Sequence, residues 1–505
     1  MKNKKNKKQV LVLGTSSHVG KSAIVTALCY ILSKKYSVAP FKAQNMSLNS
    51  WITKEGHEIG IAQAIQAKAA GIEPTVDMNP VLLKPKGDKT SQIVLMGKPY
   101  ADKTAGEYYE SVNDIYGILK AALDRLWDEY EIIVMEGAGG AAEINLYNRD
   151  IVNIGTQRLT DANIILVGDI ERGGVFASLY GTVELLPCDV RKKVKGFIIN
   201  KFRGDIKILE SGLSELEDKT NIPVLGVIPY FNVRIPSEDS VSIKDKKNAI
   251  HLNDVEIVII RFPHISNFTD FEPLESLAKI RYIEFDEEIG TPDAIILPGT
   301  KNTIEDLYKL NESGLSEKIK KFHNNIPIIG ICGGYQMLGK EIIDVNNIEG
   351  YEIDRIEGLG LLNVTTTFDK YEKTTKQVTK KIIGKSPIFK SIIGEKIKGY
   401  EIHMGNTCET QRFSKTDIFV KNTCENSIFE NDGCVDENGL VIGTYLHGLF
   451  ENENIRHTFV KYLCEKKGIE YKSDDVYFNE NAYEALGNMV ETAIDMDKVY
   501  EIIGI

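Results

Sequence analysis

Near its start the chain reads VLVLGTSSHVGKS: a continuous apolar run, Val10 to Gly14, breaks into a glycine-bounded loop and then into a helical pattern over Ser22 to Lys34. An apolar run without alternation is a strand buried on both faces, so it demands a sheet covered by helices on each side. In a turn bounded by Gly14 and Gly20, successive backbone N–H groups can point inward at phosphate oxygens, at the start of a helix. Lys21 then meets the β- and γ-phosphates, and the Ser22 hydroxyl is a ligand for Mg2+. The usual pattern is G-x-x-x-x-G-K-[ST]; here Thr15 takes the first loop position and Gly14 stands one residue earlier. Thr15, Gly20, Lys21 and Ser22 are expected to bind ATP.

The alternation of buried strand and helix continues. Ile132–Met135, Ile164–Asp169, Gly196–Asn200 and Val224–Ile228 read as strands, and Tyr108, Val112, Ile115, Leu119, Ala122 and Leu126 share one face of a long helix. Such a series predicts an α/β fold with a parallel sheet. A polar stretch at 236–253 interrupts it, and a second series follows: Val255–Arg261, Ala294–Pro298, Ile326–Cys332 and Val441–Tyr445, then a helix over Ile455–Lys466. Thr365–Thr379, rich in Thr and Lys, reads as a surface hairpin or loop. At 505 residues the chain exceeds one core. The expected division is a basic frayed tail at 1–8, an ATP-dependent domain at 9–235, a linker at 236–253 and a second domain at 254–505.

Glu136, closing the strand in IIVMEGAGG, stands where an acidic Mg2+ partner belongs in a P-loop fold, at the carboxyl end of a buried strand. In the second half, IPIIGICGGYQMLG sends an apolar strand into Gly330-Ile331-Cys332-Gly333-Gly334. Glycines on both sides of a cysteine at a strand-to-helix turn allow the sharp elbow that exposes a nucleophile. N–H groups at the helix start, Gly333 among them, can hold an oxyanion, and Gly299 and Thr300 in LPGTKNT can complete the hole. A catalytic thiol needs a base brought to it by folding. His447, just past a strand in VIGTYLHGLFEN, is the expected partner, with His403 in GYEIHMG as the alternative.

The net charge of -11 argues against general nucleic-acid binding, which needs a positive counter-surface. No apolar run reaches the 18 or more residues that a membrane-spanning helix requires. Seven cysteines with no CxxC pair point to a reducing cytoplasm rather than a disulfide framework.

Taken together these segments resemble the triad-type (class I) glutamine amidotransferases, in the branch found in cobalamin biosynthesis that makes cobyric acid. In the first half the resemblance rests on GTSSHVGKS, FKAQNMSLNS (41–50), MNPVLLKP (78–85), MEGAGG (135–140), GDIERGGVFAS (168–178) and NKFRGD (200–205). In the second half it rests on LPGTKNT, GICGGYQMLG, GYEIHMG and GTYLHGLF. It implies two domains: a dethiobiotin synthetase-like P-loop sheet, then a flavodoxin-like glutaminase. It implies glutamine as nitrogen donor, ATP and Mg2+ as cofactors, and a corrinoid, adenosylcobyrinic acid a,c-diamide, as the substrate amidated at b, d, e and g. Lys42, Lys84 and Arg172 are candidates to hold phosphates or corrin carboxylates, Asp169 to bind metal or orient substrate, and Asn200 and Lys201 to touch the adenine. The sister family that makes the a,c-diamide carries a different stretch in place of FKAQNMSLNS. A switch protein with an idle glutaminase fold would not need Cys332 and His447. One departure stands out: the triad carboxylate of the wider family follows its histidine by two residues, and here that position is Leu449. Glu451 is a possible substitute.

Overall fold

The structure is a computed structural model that describes residues 7–86, 90–104, 106–107, 112–231, 251–409, 419–422, 431–473 and 480–505. The first sheet has six strands in the order Val224–Pro229, Val194–Phe202, Asn163–Asp169, Lys8–Gly14, Ile132–Glu136 and Val38–Phe41. All its pairings are parallel. Side chains alternate between its faces. Leu11 and Leu13 pack with Leu119 and Leu123 of the helix Val112–Glu129, while Val10 and Val12 pack with Ile24 and Leu28 of the helix Lys21–Ser33. The strand begins at Lys8, so the frayed tail expected at 1–8 is one residue too long, its first six residues lying outside the described ones.

The second sheet runs Lys279–Ile283, Glu256–Ile260, Ala294–Leu297, Ile328–Ile331, Val441–Thr444 and Cys434–Val435, parallel except for the last pair. The helix expected over Ile455–Lys466 occupies Glu453–Lys467.

Three expectations need correction. The helices Glu480–Ala493 and Met496–Ile503 return to the first sheet: Leu486, Val490 and Val499 share a core with Val10, Ile24 and Leu28, and Asn163 Nδ2 donates to Ile502 O at 2.8 Å. The second domain therefore does not extend through 254–505; an apolar helix face identifies a buried surface without naming the sheet that buries it. Most of the 236–253 linker lies outside the described residues, but Asn253 is buried and donates to Leu277 O and Lys472 O, which places it in the second domain. Thr365–Thr379, expected as a surface hairpin or loop, is exposed only over 369–372 and at Gln377. It contributes to the strands Val364–Thr367 and Thr374–Ile382, the latter paired antiparallel with Lys396–His403, and the Lys373 side chain is 6% exposed.

The halves are stitched together by a hairpin of the first, Ser50–Ile52 and Glu58–Gly60. Thr375 Oγ1 donates to Gly56 O at 2.7 Å, Gln377 Nε2 donates to Ile52 O at 2.8 Å, and Trp51 lies against Tyr400.

Candidate active site

Strand Ile328–Ile331 ends in Cys332, whose φ of 54° and ψ of -110° make the elbow expected from its flanking glycines. Such backbone strain persists only where the surroundings hold it. Here the Cys332 N–H donates to Thr444 O at 2.8 Å on the neighbouring strand. Gly334 admits no side chain, since a Cβ would strike the Leu297 carbonyl. The N–H of Gly333 opens the helix Gly333–Leu338, and a Cβ on Gly333 would sit 3.1 Å from Thr300 N. A Cβ on Gly299 would sit 3.1 Å from His447 Cε1. The expected oxyanion residues Gly299, Thr300 and Gly333 thus converge beside the cysteine and histidine.

His447 is 1% exposed, and its Nδ1 lies 2.6 Å from Asp270 Oδ2, while Asp270 Oδ1 accepts from Gly448 N at 2.9 Å. A carboxylate on Nδ1 fixes the tautomer and leaves Nε2 to work on the thiol. Burial opposes charge on the ring, but Asp270, and after it Cys332, outweigh burial and raise His447 to about 10. The missing acid at Leu449 is therefore supplied from 177 residues upstream. Leu449 itself is core, and Glu451 is exposed and makes no bond to the ring. His403 lines the same pocket but stacks on Tyr445, and its Nδ1 faces Gly405 O rather than a carboxylate; desolvation pushes it down to about 4.

Asp270 sits on the short helix Phe268–Leu274. The first half grips the start of that helix: Asn49 Oδ1 accepts from Phe268 N at 3.1 Å, and Ser50 N donates to Asn267 Oδ1 at 2.9 Å. Thus FKAQNMSLNS reaches the turn that carries the acid. Lys84 lies at this joint, lining the pocket beside Cys332 and pairing with Glu58 at 2.6 Å. It stands apart from the cluster around Glu136.

At the carboxyl ends of the first sheet, Lys21 Nζ donates to Ser16 O and Gly139 O, which folds it over the loop. Gly20 has φ 99°, and a Cβ there would collide with the Asn200 amide. Glu136 Oε1 accepts from Ser22 Oγ at 2.9 Å and from Lys42 Nζ at 2.8 Å, while Gln66 donates to Oε2. Asn200 Nδ2 donates to Val19 O, and its buried Oδ1 has no partner among the described residues, so an acceptor is left unsatisfied beside the loop. Lys201 bridges His18 O and Asp169 Oδ2. Thr15 N donates to Val167 O. Arg172 is exposed on the loop after Asp169.

Sequence reasoning missed Asp270, the Asn49–Ser50 contact, Gln66 and Lys373. Nothing in the spacing of SNFTDFEPL marks Asp270 as a partner of His447.

A CobQ/CobB/MinD/ParA nucleotide binding domain matches residues 10–242, and a CobB/CobQ-like glutamine amidotransferase domain matches residues 256–455. A probable cobyric acid synthase of Methanosarcina mazei is 63% identical over 499 residues, covering 99% of this chain and 100% of that protein. A cobyric acid synthase of Dehalococcoides mccartyi (strain CBDB1) is 46% identical over 501 residues, covering 98% of this chain and 99% of that protein. Among the described residues, no helix is long and apolar enough to cross a membrane. With both domains matched and this identity sustained along the full length, the chain belongs to the cobyric acid synthase family.

Proposed function

We infer that this chain amidates the side-chain carboxylates of a corrinoid, with glutamine as nitrogen donor and ATP as activator. The substrate is adenosylcobyrinic acid a,c-diamide, the positions are b, d, e and g, and the product is adenosylcobyric acid. The observation that carries the reading is Cys332 in a pocket that Lys84 of the nucleotide-binding half also lines, with His447 hydrogen-bonded to the thiol and Asp270 behind His447.

Cys332 Sγ attacks the amide carbon of glutamine, and the N–H groups of Gly299, Thr300 and Gly333 take the charge that grows on its oxygen. His447 takes the thiol proton and gives it to the leaving nitrogen, which departs as ammonia, and Asp270 stabilises the ring while it carries that charge. Water then releases glutamate from the thioester. At the other end a corrin carboxylate attacks the γ-phosphorus of ATP, ADP leaves, and ammonia displaces phosphate from the acyl phosphate. Lys21 steadies the transferring phosphoryl group, and Asn200 Oδ1 meets the adenine amino group, its unsatisfied state supporting that role. Ser22 Oγ and Glu136 suit Mg2+, which favours a few carboxylate and hydroxyl oxygens with phosphates completing its shell. Held by these two residues, the ion would offset the negative charge of the ATP phosphates. Lys42, paired with Glu136, is placed to meet the phosphates or the carboxylate; Asp169 holds Lys201 at the loop, and Arg172 reaches outward for corrin carboxylates. The reaction belongs in the cytoplasm, where ATP is abundant and a thiol stays reduced.

The test follows nitrogen. With glutamine labelled by 15N at its amide and excess unlabelled ammonium in solution, the corrinoid is expected to gain mainly labelled amides. Solvent-level dilution of the label would contradict an internal path between the halves.

A further inference from the structure

The pocket at Cys332 holds more charge than opening an amide requires. Lys84, Lys301 and Lys373 line it, with Glu349 beside them. Two of the lysines are accounted for: Lys84 and Lys373 grip the buried Glu58 at 2.6 and 2.5 Å. Lys301 is different. Among the described residues it makes no ion pair within 4 Å, yet its side chain faces the pocket.

Its backbone is held firmly. Lys301 N donates to His264 O at 2.9 Å, and the adjacent Thr300 hydroxyl donates to the buried Asp306, which also takes His264 Nδ1 at 2.9 Å. Glu349 is likewise fixed with one oxygen to spare. Its Oε2 accepts from Thr303 N at 2.7 Å and its N–H donates to Asp344 Oδ2 at 2.9 Å, while Oε1 has no partner among the described residues.

We propose that Lys301 and Glu349 are the subsite for the charged end of glutamine, Lys301 for the α-carboxylate and Glu349 for the α-ammonium. The inference rests on the reading of Cys332 as the thiol that opens the amide. Three carbon–carbon bonds separate that amide carbon from the α-carbon, so the charged end must lie within the pocket that holds the sulfur. Both groups are short of counter-charge without a ligand. Burial, then Lys373, pulls Lys301 down to about 7, with Glu349 opposing only in part. Burial raises Glu349, against the pull of Lys301 and the Thr303 N–H. A zwitterion laid across them restores both charges.

The experiment measures glutaminase kinetics of the full chain, with ammonium-driven corrinoid amidation as the control for folding. Lys301→Met and Glu349→Gln are each expected to raise the KM for glutamine by ~10–100-fold, the loss of one charge-assisted bond. Ammonium-driven synthesis is expected to stay within about two-fold, because the subsite serves only the glutaminase. Two truncated substrates separate recognition from damage. Glutaramic acid lacks the α-amino group and 4-aminobutanamide lacks the α-carboxyl group. Lys301→Met is expected to lose the wild-type preference for glutamine over 4-aminobutanamide and keep that over glutaramic acid; Glu349→Gln is expected to do the reverse. Lys301→Arg, which keeps the charge, is expected to recover much of the preference. Variants that keep both preferences, or lose both equally, overturn the subsite. A wild type that releases no more glutamate than Cys332→Ala instead overturns the reading beneath it.

Discussion

Glu136 and Glu58 are both buried in the first half of the chain, and each accepts from a serine hydroxyl and a lysine. Glu136 takes Ser22, Lys42 and Gln66. Glu58 takes Ser50 at 2.8 Å, Lys84 and, from the second half, Lys373. The second cation makes the difference. Burial alone would raise the Glu58 carboxyl, but Lys373 and Lys84 outweigh it and hold the group well below the usual carboxylate range. A carboxylate shared by two ammonium groups from two domains is a rivet. A carboxylate facing one ammonium, an amide and the hydroxyl of the glycine-bounded loop has no second cation to lock it, which is what the metal role proposed for Glu136 requires. Similar burial and similar partners thus serve a joint at one end and chemistry at the other.

Changes at the two ends should separate accordingly. The largest effect is expected beside the rivet. Asp270→Asn withdraws the acid that orients His447, and glutamine-driven turnover should fall by about 10^4-fold, as triads do when that acid is lost. Ammonium-driven synthesis should persist. Equal loss with both nitrogen donors would merge the two ends and break the contrast.

Next in size is the rivet itself. Glu58→Gln leaves Lys84 and Lys373 buried without their counter-charge, at a cost of about 3–5 kcal/mol in denaturant unfolding. Glu136→Gln keeps an acceptor for Ser22 and one lysine, so its stability cost should be smaller, about 1–3 kcal/mol, while ATP consumption should collapse. A larger stability loss at Glu136 than at Glu58 would reverse the assignment.

A smaller effect is read from pH. The folded pKa of His447 is raised to about 10 from an ordinary 6.5. Its contribution to stability is therefore complete below about pH 6.5 and lost as pH rises through about 10. The urea midpoint of the wild type should decline across that window, and Asp270→Asn should flatten the decline. Glu58 works the other way, contributing above the ordinary glutamate range and losing its contribution only in strong acid. The smallest effect is expected at Asn200→Ala: a weaker hold on ATP by about 1 kcal/mol, seen in the KM for ATP with glutamine hydrolysis unchanged.

Much of this was legible in residue order. Glycines bracketing a cysteine or a lysine at a strand-to-helix turn signal a local backbone geometry, and local geometry is written locally. Cys332, Lys21 and Ser22 were singled out that way, and Glu136 by its place at the end of a buried strand. Asp270 was not, because its meeting with His447 is made by the fold across 177 residues. Nor was Lys373, since a Thr- and Lys-rich stretch reads as solvated until a buried glutamate from the other half is known to await it. The helices Glu480–Ala493 and Met496–Ile503 showed the same limit: they follow the second domain in the chain, and only the fold shows that they cover the first sheet.

The central claim is that a sulfur in one half frees the nitrogen that the other half installs. The most direct measurement is the mass of corrinoid products made by Cys332→Ala with ATP, first with glutamine and then with ammonium. The account predicts no added amides with glutamine and the full ladder of amidation steps with ammonium. Amidation from glutamine without Cys332, or none with ammonium while the variant remains folded, would contradict it.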